Sequence, residues 1–379
     1  MLYLDHAATG PVRPEVRAAM LPFLGDRYGN PSSHHTVGED AAAALDDARR
    51  RVAAVVGMRP GDVVFTSGAT EANNLAIKGV AVASLLRLGR PGHIVTSAIE
   101  HESVLASVDF LERVHGVAAT RLDVDGDGLV SPDVLADALR EDTVLVSLGY
   151  ANNEIGTVQD AAALAAVTAA ARIPLHLDAV QAAGWLPLAG TGADALSIAG
   201  HKIGAPQGIG VLAIRGRVPL EPLLHGGGQE RDRRSGTENV AGAVGLAVAL
   251  ELAEAERSVA AERVSALRDD VTARVMTLVP EARLTGHPSR RLPGTASFTF
   301  AGVSGEAVLL ELERRGVVSS SGSACAAGSD EPSHVLLALG VAPEVAQTSV
   351  RFSFGHHAAV DPARLADAVA ESVAAVRSR

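Results

Sequence analysis

Residues 143–178 read TVLVSLGYANNEIGTVQDAAALAAVTAAARIPLHLD, and the reading of this stretch decides the fold. Thr143–Tyr150 and Pro174–Asp178 are short apolar runs of strand length, and the alanine-rich Ala161–Arg172 between them has the composition of a helix. The same alternation continues in both directions. Towards the N-terminus lie a helix over Thr36–Gly57, a strand at Asp62–Ser67, a helix over Ala69–Gly89, a strand at His93–Ser97 and a helix over Glu102–His115. Towards the C-terminus, Ala195–Ile198 and Ile209–Ile214 are two more strands. Strands alternating with helices imply an α/β fold, a mostly parallel sheet with helices on both faces.

Beyond about residue 240 the pattern changes. A long helix is expected from Glu238 to Leu278, then a strand at Thr295–Phe300, a helix at Glu306–Arg315, a strand at Val350–Phe354 and a closing helix from Pro362 to Val376. The expected division is a large domain over 15–250 and a smaller α+β domain from 1–14 and 251–379. No fixed-period repeat is present.

The 379 residues suffice for two domains with sizeable cores. Aromatics are only 3%, so Ala, Val and Leu must build most of the interior. A net charge of -11 argues against broad nucleic-acid binding, although Arg231, Arg233 and Arg234 form a local basic patch. One cysteine excludes an intrachain disulfide framework and fits a reducing compartment. The opening Met1–His6 lacks the basic-then-apolar pattern of an export signal, and no apolar run approaches bilayer-spanning length, so the expected location is cytoplasmic.

Chemistry-bearing residues fall where strands end, which is where open parallel sheets bind ligands. Ser67-Gly68-Ala69-Thr70-Glu71 follows a strand and opens a helix, which makes either a plain N-cap with a tight turn or a phosphate seat. Asp178 closes an apolar strand, where a carboxylate needs a cation or donors; it either caps the next element or meets a protonated ring nitrogen. Lys202, in Gly200-His201-Lys202, is either a solvated loop lysine or a Schiff-base lysine, activated by a desolvated, cationic pocket. Cys325 sits in Ser319-Ser320-Ser321-Gly322-Ser323-Ala324-Cys325-Ala326-Ala327-Gly328-Ser329, where little side-chain bulk anchors the thiol and it can be presented to a partner. Asp123–Gly128 resembles a calcium loop, but its twelfth position is Val134, so it is read as a turn. His34-His35 and His356-His357 lack metal-ligand spacing and are read as solvated or capping residues. No Walker A and no G-x-G-x-x-G pattern occurs.

Together these segments resemble the cysteine desulfurases of the NifS/IscS branch, in the class V aminotransferase group of pyridoxal phosphate enzymes. The resemblance runs through Tyr3–Thr9, Gly29–Ser33, Phe65–Glu71, Asn152–Gly156, Asp178–Gln181, Gly200–Lys202, Arg234–Thr237, Ser320–Cys325 and Ser349–Ser353, covering essentially the whole chain. It implies the type I fold of these enzymes and a homodimer. It implies that Lys202 forms the Schiff base with pyridoxal phosphate and later moves the Cα proton, that Asp178 holds the pyridine nitrogen protonated, and that His101 stacks on the ring. Asn152 and Gln181 would lie near the phenolic oxygen, with Asn152 also facing substrate. Ala69, Thr70 and His201 would bind the phosphate, joined by Thr237 from a second subunit. Arg351 would grip the substrate carboxylate, for which a two-pronged guanidinium is suited. Cys325 would take the sulfur of L-cysteine as a persulfide, leaving alanine, and pass it to an acceptor protein for iron–sulfur cluster assembly or other thiolation. Selenocysteine lyase, or another class V enzyme of this kind, is the alternative reading. One departure is Ala199, where members of the branch usually carry a serine whose hydroxyl helps hold the phosphate. The segment from Cys325 to Leu339 resembles the long-loop subgroup, which works without an activator.

Overall fold

The computed structural model describes residues 1–321 and 331–378, so Cys325 lies outside the described residues. The chain opens with β1 (Leu2–Tyr3), α1 (Pro14–Leu24) and α2 (Thr36–Val56). Alternation then sets in: β2 (Val63–Thr66), α3 (Ala69–Leu88), β3 (His93–Ser97), α4 (Glu102–His115), β4 (Ala118–Leu122), α5 (Pro132–Ala138), β5 (Thr143–Gly149), α6 (Ala161–Ala171), β6 (Leu175–Asp178), β7 (Ala195–Ala199) and β8 (Gly210–Ile214). The single turn α7 (Gln229–Asp232) precedes α8 (Val240–Leu278). The rest is β9 (Ala282–Leu284), β10 (Thr295–Phe300), α9 (Gly305–Arg314), β11 (Val317–Val318), α10 (His334–Ala338), α11 (Pro343–Ala346), β12 (Ser349–Ser353) and α12 (Pro362–Arg377).

Seven strands form one sheet in the order β2-β8-β7-β6-β5-β3-β4. β4, β3, β5, β6 and β7 run parallel, and β8 pairs antiparallel with both β7 and β2. Valine, leucine and isoleucine on both faces of these strands explain their near-continuous apolar reading. One face packs on Val52, Leu164, Leu246 and Leu250 from α2, α6 and α8; the other packs on Leu75, Val80, Val108 and Leu111 from α3 and α4. A second, three-stranded antiparallel sheet, β12-β10-β9, buries Phe298, Phe300 and Phe352 against α8, α9 and α12. The 39 residues of α8 join the two cores: Leu250 and Ala253 belong to the first, Val264 and Val271 to the second. Among the described residues no helix is long and apolar enough to cross a membrane.

Most expected elements are present within a residue or two. β4 was not expected, because Ala118–Leu122 carries Thr120 and Arg121 and alternates too weakly to stand out. Asp123–Gly128 is a turn, closed by Asp125 Oδ1 accepting from the N–H groups of Asp127 and Leu129. His35 caps α2 as expected, accepting from Gly38 N–H at 3.2 Å. His356 departs from its reading: it is half-buried and packs edge-on against Trp185 at a ring-centroid separation of 4.2 Å. Glycines in the left-handed region close α2, α3 and α4 at Gly57, Gly89 and Gly116, whereas α6 closes on Arg172 at φ 59°.

The turn α7 shows how an unfavourable backbone is held. Glu230, Arg231 and Asp232 are all left-handed, at φ 51°, 59° and 63°. Each costs roughly 1–3 kcal/mol. Against this, the buried Glu230 carboxylate forms two hydrogen bonds with Arg49, at 2.6 and 2.8 Å, and accepts from Phe65 N–H at 3.0 Å. Arg49 in turn donates to Val63 O at 2.7 Å, so α2, β2 and the segment leading to Thr237 are fixed by one pair. Glu230→Gln should lower unfolding free energy by about 3–5 kcal/mol in urea titrations, because it leaves a buried guanidinium uncompensated. Asp46→Asn, which removes only the exposed neighbour of Arg49, should change it by less than about 1 kcal/mol.

Candidate active site

The carboxyl ends of β3, β5, β6 and β7 open into a cavity of about 460 Å³. Gly149, Asp178 and Ala199 line it directly from strand ends, and Glu100 lines it from the loop three residues beyond β3. Of the residues singled out from the sequence, Ala69, Thr70, His101, Asn152, Asp178, Gln181, His201, Lys202 and Arg351 all line this one cavity. Thr237 does not; it is exposed on the segment after α7. Nothing in the described residues bears on Cys325.

One end of the cavity is the start of α3. Glu71 folds back to accept from Ser67 N–H at 2.7 Å and from Arg234 Nε at 2.9 Å. Ala69 and Thr70 line the cavity from this first turn, whose N–H groups have no intrahelical partner, a ready anion seat. A Cβ at Gly68 would meet nothing within 4 Å, so glycine leaves this end open, and Gly210 is required opposite, because its Cβ would lie 2.6 Å from the Gly68 carbonyl carbon. His201 borders this end; burial, then the Lys202 ammonium, push its pKa down to about 4, so it is a neutral imidazole. Its Nδ1 lies 3.2 Å from Thr9 Oγ1.

At the other end, Asp178 is held by Asn73 Nδ2 at 2.6 Å and by Val180 N–H at 3.0 Å. Asn73 also donates to Ser103 Oγ, while its own Oδ1 is buried and without a partner among the described residues. His101 caps α4: Ser103 N–H donates to its Nδ1 at 3.0 Å, which sets the ring orientation. Lys202 Nζ donates to the carbonyls of Ala7 and Ala8, and Gln181 Nε2 reaches Ala7 O at 3.1 Å. Asn152 is more occupied than its sequence context suggests, donating to Ile99 O at 2.8 Å and accepting from Glu154 and Ile155 N–H. Arg351 is fully buried, with Nη1 on Asn153 O and Nη2 on Asp5 Oδ1, both at 2.8 Å, and its Nε has no partner among the described residues.

Three residues escaped the sequence reading. Asn73 is one of two adjacent asparagines in the first half of α3 and the one that is buried. Ser353 accepts from Ala7 N–H at 2.9 Å and so fixes the carbonyl that receives Lys202, a link between residues 346 apart. Glu100 lies three residues beyond the end of β3 and is buried, receiving Ser97 Oγ at 2.5 Å.

The arrangement fits pyridoxal phosphate: an anion seat with an open glycine, an amine in the middle and an oriented carboxylate beyond it, in a cavity of suitable size for a cofactor with a small substrate. Among the described residues no group of three His, Cys, Asp or Glu side chains is placed to hold a metal ion.

Burial, reinforced by the negative charge of Asp178, pushes Glu100 up to about 8 from 4.5. Its neutral form is therefore the one the fold accommodates, and wild-type stability should decline as pH rises from about 4.5 through about 8, since unfolding there releases a proton. In Glu100→Gln this contribution vanishes, so the stability difference between variant and wild type should widen over that window and level off above it, as read by denaturation at a series of pH values.

The comparisons with known proteins agree with this geometry. The model of the aminotransferase class-V family matches residues 2–362. A relative from Dictyoglomus turgidum named cysteine desulfurase IscS is 46% identical over 356 residues, which is 93% of this chain and 89% of the relative. A solved structure titled NifS-like protein superposes with a TM-score of 0.90 at 34% identity, covering 100% of this chain and 99% of its own. Another, titled SspA in complex with cysteine, gives a TM-score of 0.80 at 36% identity over 93% of this chain and 98% of its own. The chain belongs to the class V aminotransferase family, in its cysteine desulfurase branch, and has the type I fold of pyridoxal phosphate enzymes.

Proposed function

We propose that this protein is a pyridoxal phosphate-dependent cysteine desulfurase that converts L-cysteine to L-alanine and leaves the sulfur as a persulfide on Cys325. The observation that carries this is the convergence of Lys202, Asp178, His101 and Arg351 on one cavity, in a chain whose relatives are named for that reaction. When bound, the cofactor supplies an electron sink for the carbanion at the substrate Cα. Lys202 would hold the cofactor and would take the Cα proton at Nζ. The Ala7 and Ala8 carbonyls, already its acceptors, favour that protonated state. Asp178, oriented by Asn73 and Val180, would hold the ring nitrogen protonated, and His101 would stack on the ring. The first turn of α3 with Ala69 and Thr70, together with His201, holds the phosphate; Asn152 and Gln181 border the phenolic oxygen. Arg351 offers its unpaired Nε–H and the rest of its fork to the substrate carboxylate, with Asp5 keeping the guanidinium in place.

The Cys325 thiolate attacks the substrate sulfur; the S–S bond forms as the C–S bond breaks, the electron pair passes to carbon, and a proton completes alanine. This needs a reduced thiol, which suits the cytoplasm. Thr237, exposed on the segment that Glu230 anchors, serves the phosphate seat of a second copy in a homodimer. A large body of residues 15–250 supplies the cofactor seat, and a smaller one of 1–14 and 251–379 supplies Arg351 and Cys325. The persulfide passes to an acceptor protein of iron–sulfur assembly or thiolation.

Purified protein should be yellow and should release alanine from L-cysteine. Lys202→Ala should lose both the colour and the activity. Cys325→Ala should keep the colour and lose persulfide formation; normal sulfane sulfur production by that variant would remove the thiol from the reaction. Ala199→Ser should restore a phosphate donor worth roughly 1.5–3 kcal/mol, seen as cofactor dissociation slower by about tenfold or more.

A further inference from the structure

A second cavity, of about 560 Å³, lies at the opposite ends of the strands that build the active site. Thr143 at the start of β5, Pro174 just before β6 and Asp194 just before β7 border it. The far half of α3, with Val80, Ser84 and Arg87, forms one wall, so the helix whose first turn serves the active site reaches this cavity with its last turns.

Three observations single it out. The first is charge. Arg217 is paired with Asp194, and Asp142 with Arg140 at 2.9 Å, but Arg87, Arg90 and Arg172, which also line the cavity, have neither an ion pair nor a side-chain hydrogen bond among the described residues. Glu141 is the one lining carboxylate left to oppose them. In a chain of net charge -11 this is a local excess of cations. The second is an orphan hydroxyl. Hydroxyls inside helices usually return to the carbonyl four residues back, as Ser107, Thr272, Thr277 and Ser372 do here. Ser84, only 4% exposed, does not, and its Oγ has no partner among the described residues. The third is backbone. Arg172 occupies the left-handed position that closes α6, where α2, α3 and α4 all have glycine. Arginine stands where glycine would be less strained.

We propose that this cavity binds a small phosphorylated metabolite with an apolar body. The phosphate is set against Arg87, Arg90 and Arg172 with the Ser84 hydroxyl, for which guanidinium forks are suited. The apolar body covers Val80, Val144, Ile173 and Val218. Nothing in the desulfurase reaction uses these residues.

The test is calorimetric titration of the full-length enzyme, saturated with pyridoxal phosphate so that the active-site phosphate seat is filled, using phenyl phosphate as probe and inorganic phosphate for comparison. The expected result is one saturable site per chain that prefers phenyl phosphate. Arg172→Gly and Arg87→Gln should each weaken binding by about tenfold or more, the loss of one charge-assisted hydrogen bond. Arg172→Gly should melt at the same temperature as wild type or higher, which separates lost binding from lost fold. Arg50→Gln, on the outer face of α2, should bind as wild type does. Absence of saturable binding to wild type, unchanged affinity in both cavity variants, or equal weakening in Arg50→Gln would overturn the proposal.

Discussion

The hydrogen bond from Ala7 N–H to Ser353 Oγ is the contact on which the site depends. It joins the N-terminal segment to β12, and the two carry opposite halves of the chemistry. Ala7 and Ala8 supply the carbonyls that receive Lys202, while β12 carries Arg351, whose guanidinium returns to Asp5 at the start of the chain. Around this stitch, His6 N–H donates to Ser353 O, Ser353 N–H to Leu4 O, and Gly10 N–H to His201 O. Three regions remote in sequence are thereby placed on one cavity. Most of these contacts are backbone to backbone and buried, so losing one leaves a polar group without water or partner.

Burial also sets the charge states. His201 and His176 are both pushed down to about 4, chiefly by desolvation, and Glu100 up to about 8. His176 lies between Ser147 and Ser197 hydroxyls, each 2.9 Å away, on the strand that ends in Asp178. A neutral imidazole at His201 and a neutral carboxyl at Glu100 thus line the cavity. The charged groups to which the proposed mechanism gives work, such as Asp178 and Arg351, have partners that offset the loss of water.

The sheet has two usable edges, and the fold treats them differently. At the carboxyl ends the loops are knitted together and the cavity collects oriented donors. At the amino ends the cavity is open and cationic, with an unpartnered hydroxyl at its wall. α3 and the strand β5 each touch both cavities: α3 through its first and last turns, β5 through Gly149 and Thr143.

The sequence by itself determined the layers of this protein. Period, helix stops such as Gly57 and Gly116, and buried runs such as Pro174–Asp178 are local properties, so α/β alternation was legible without coordinates. So was the membership of the site: Lys202, Asp178, Thr70 and His101 each stand at a strand end or helix start, and their order along the chain carries the resemblance. What only the tertiary structure decided is which groups hold these in place. Asn73 is one polar residue on a helix until α3 sets it against Asp178; Ser353 is an ordinary strand serine until the N-terminal segment crosses it. Glu230 and Arg49 carry no motif at all, and their pairing across 181 residues exists only because β2 and α2 converge. Local sequence encodes periodicity and turn chemistry, whereas distances across hundreds of residues, and the desolvation that fixes charge, arise only when the chain closes on itself.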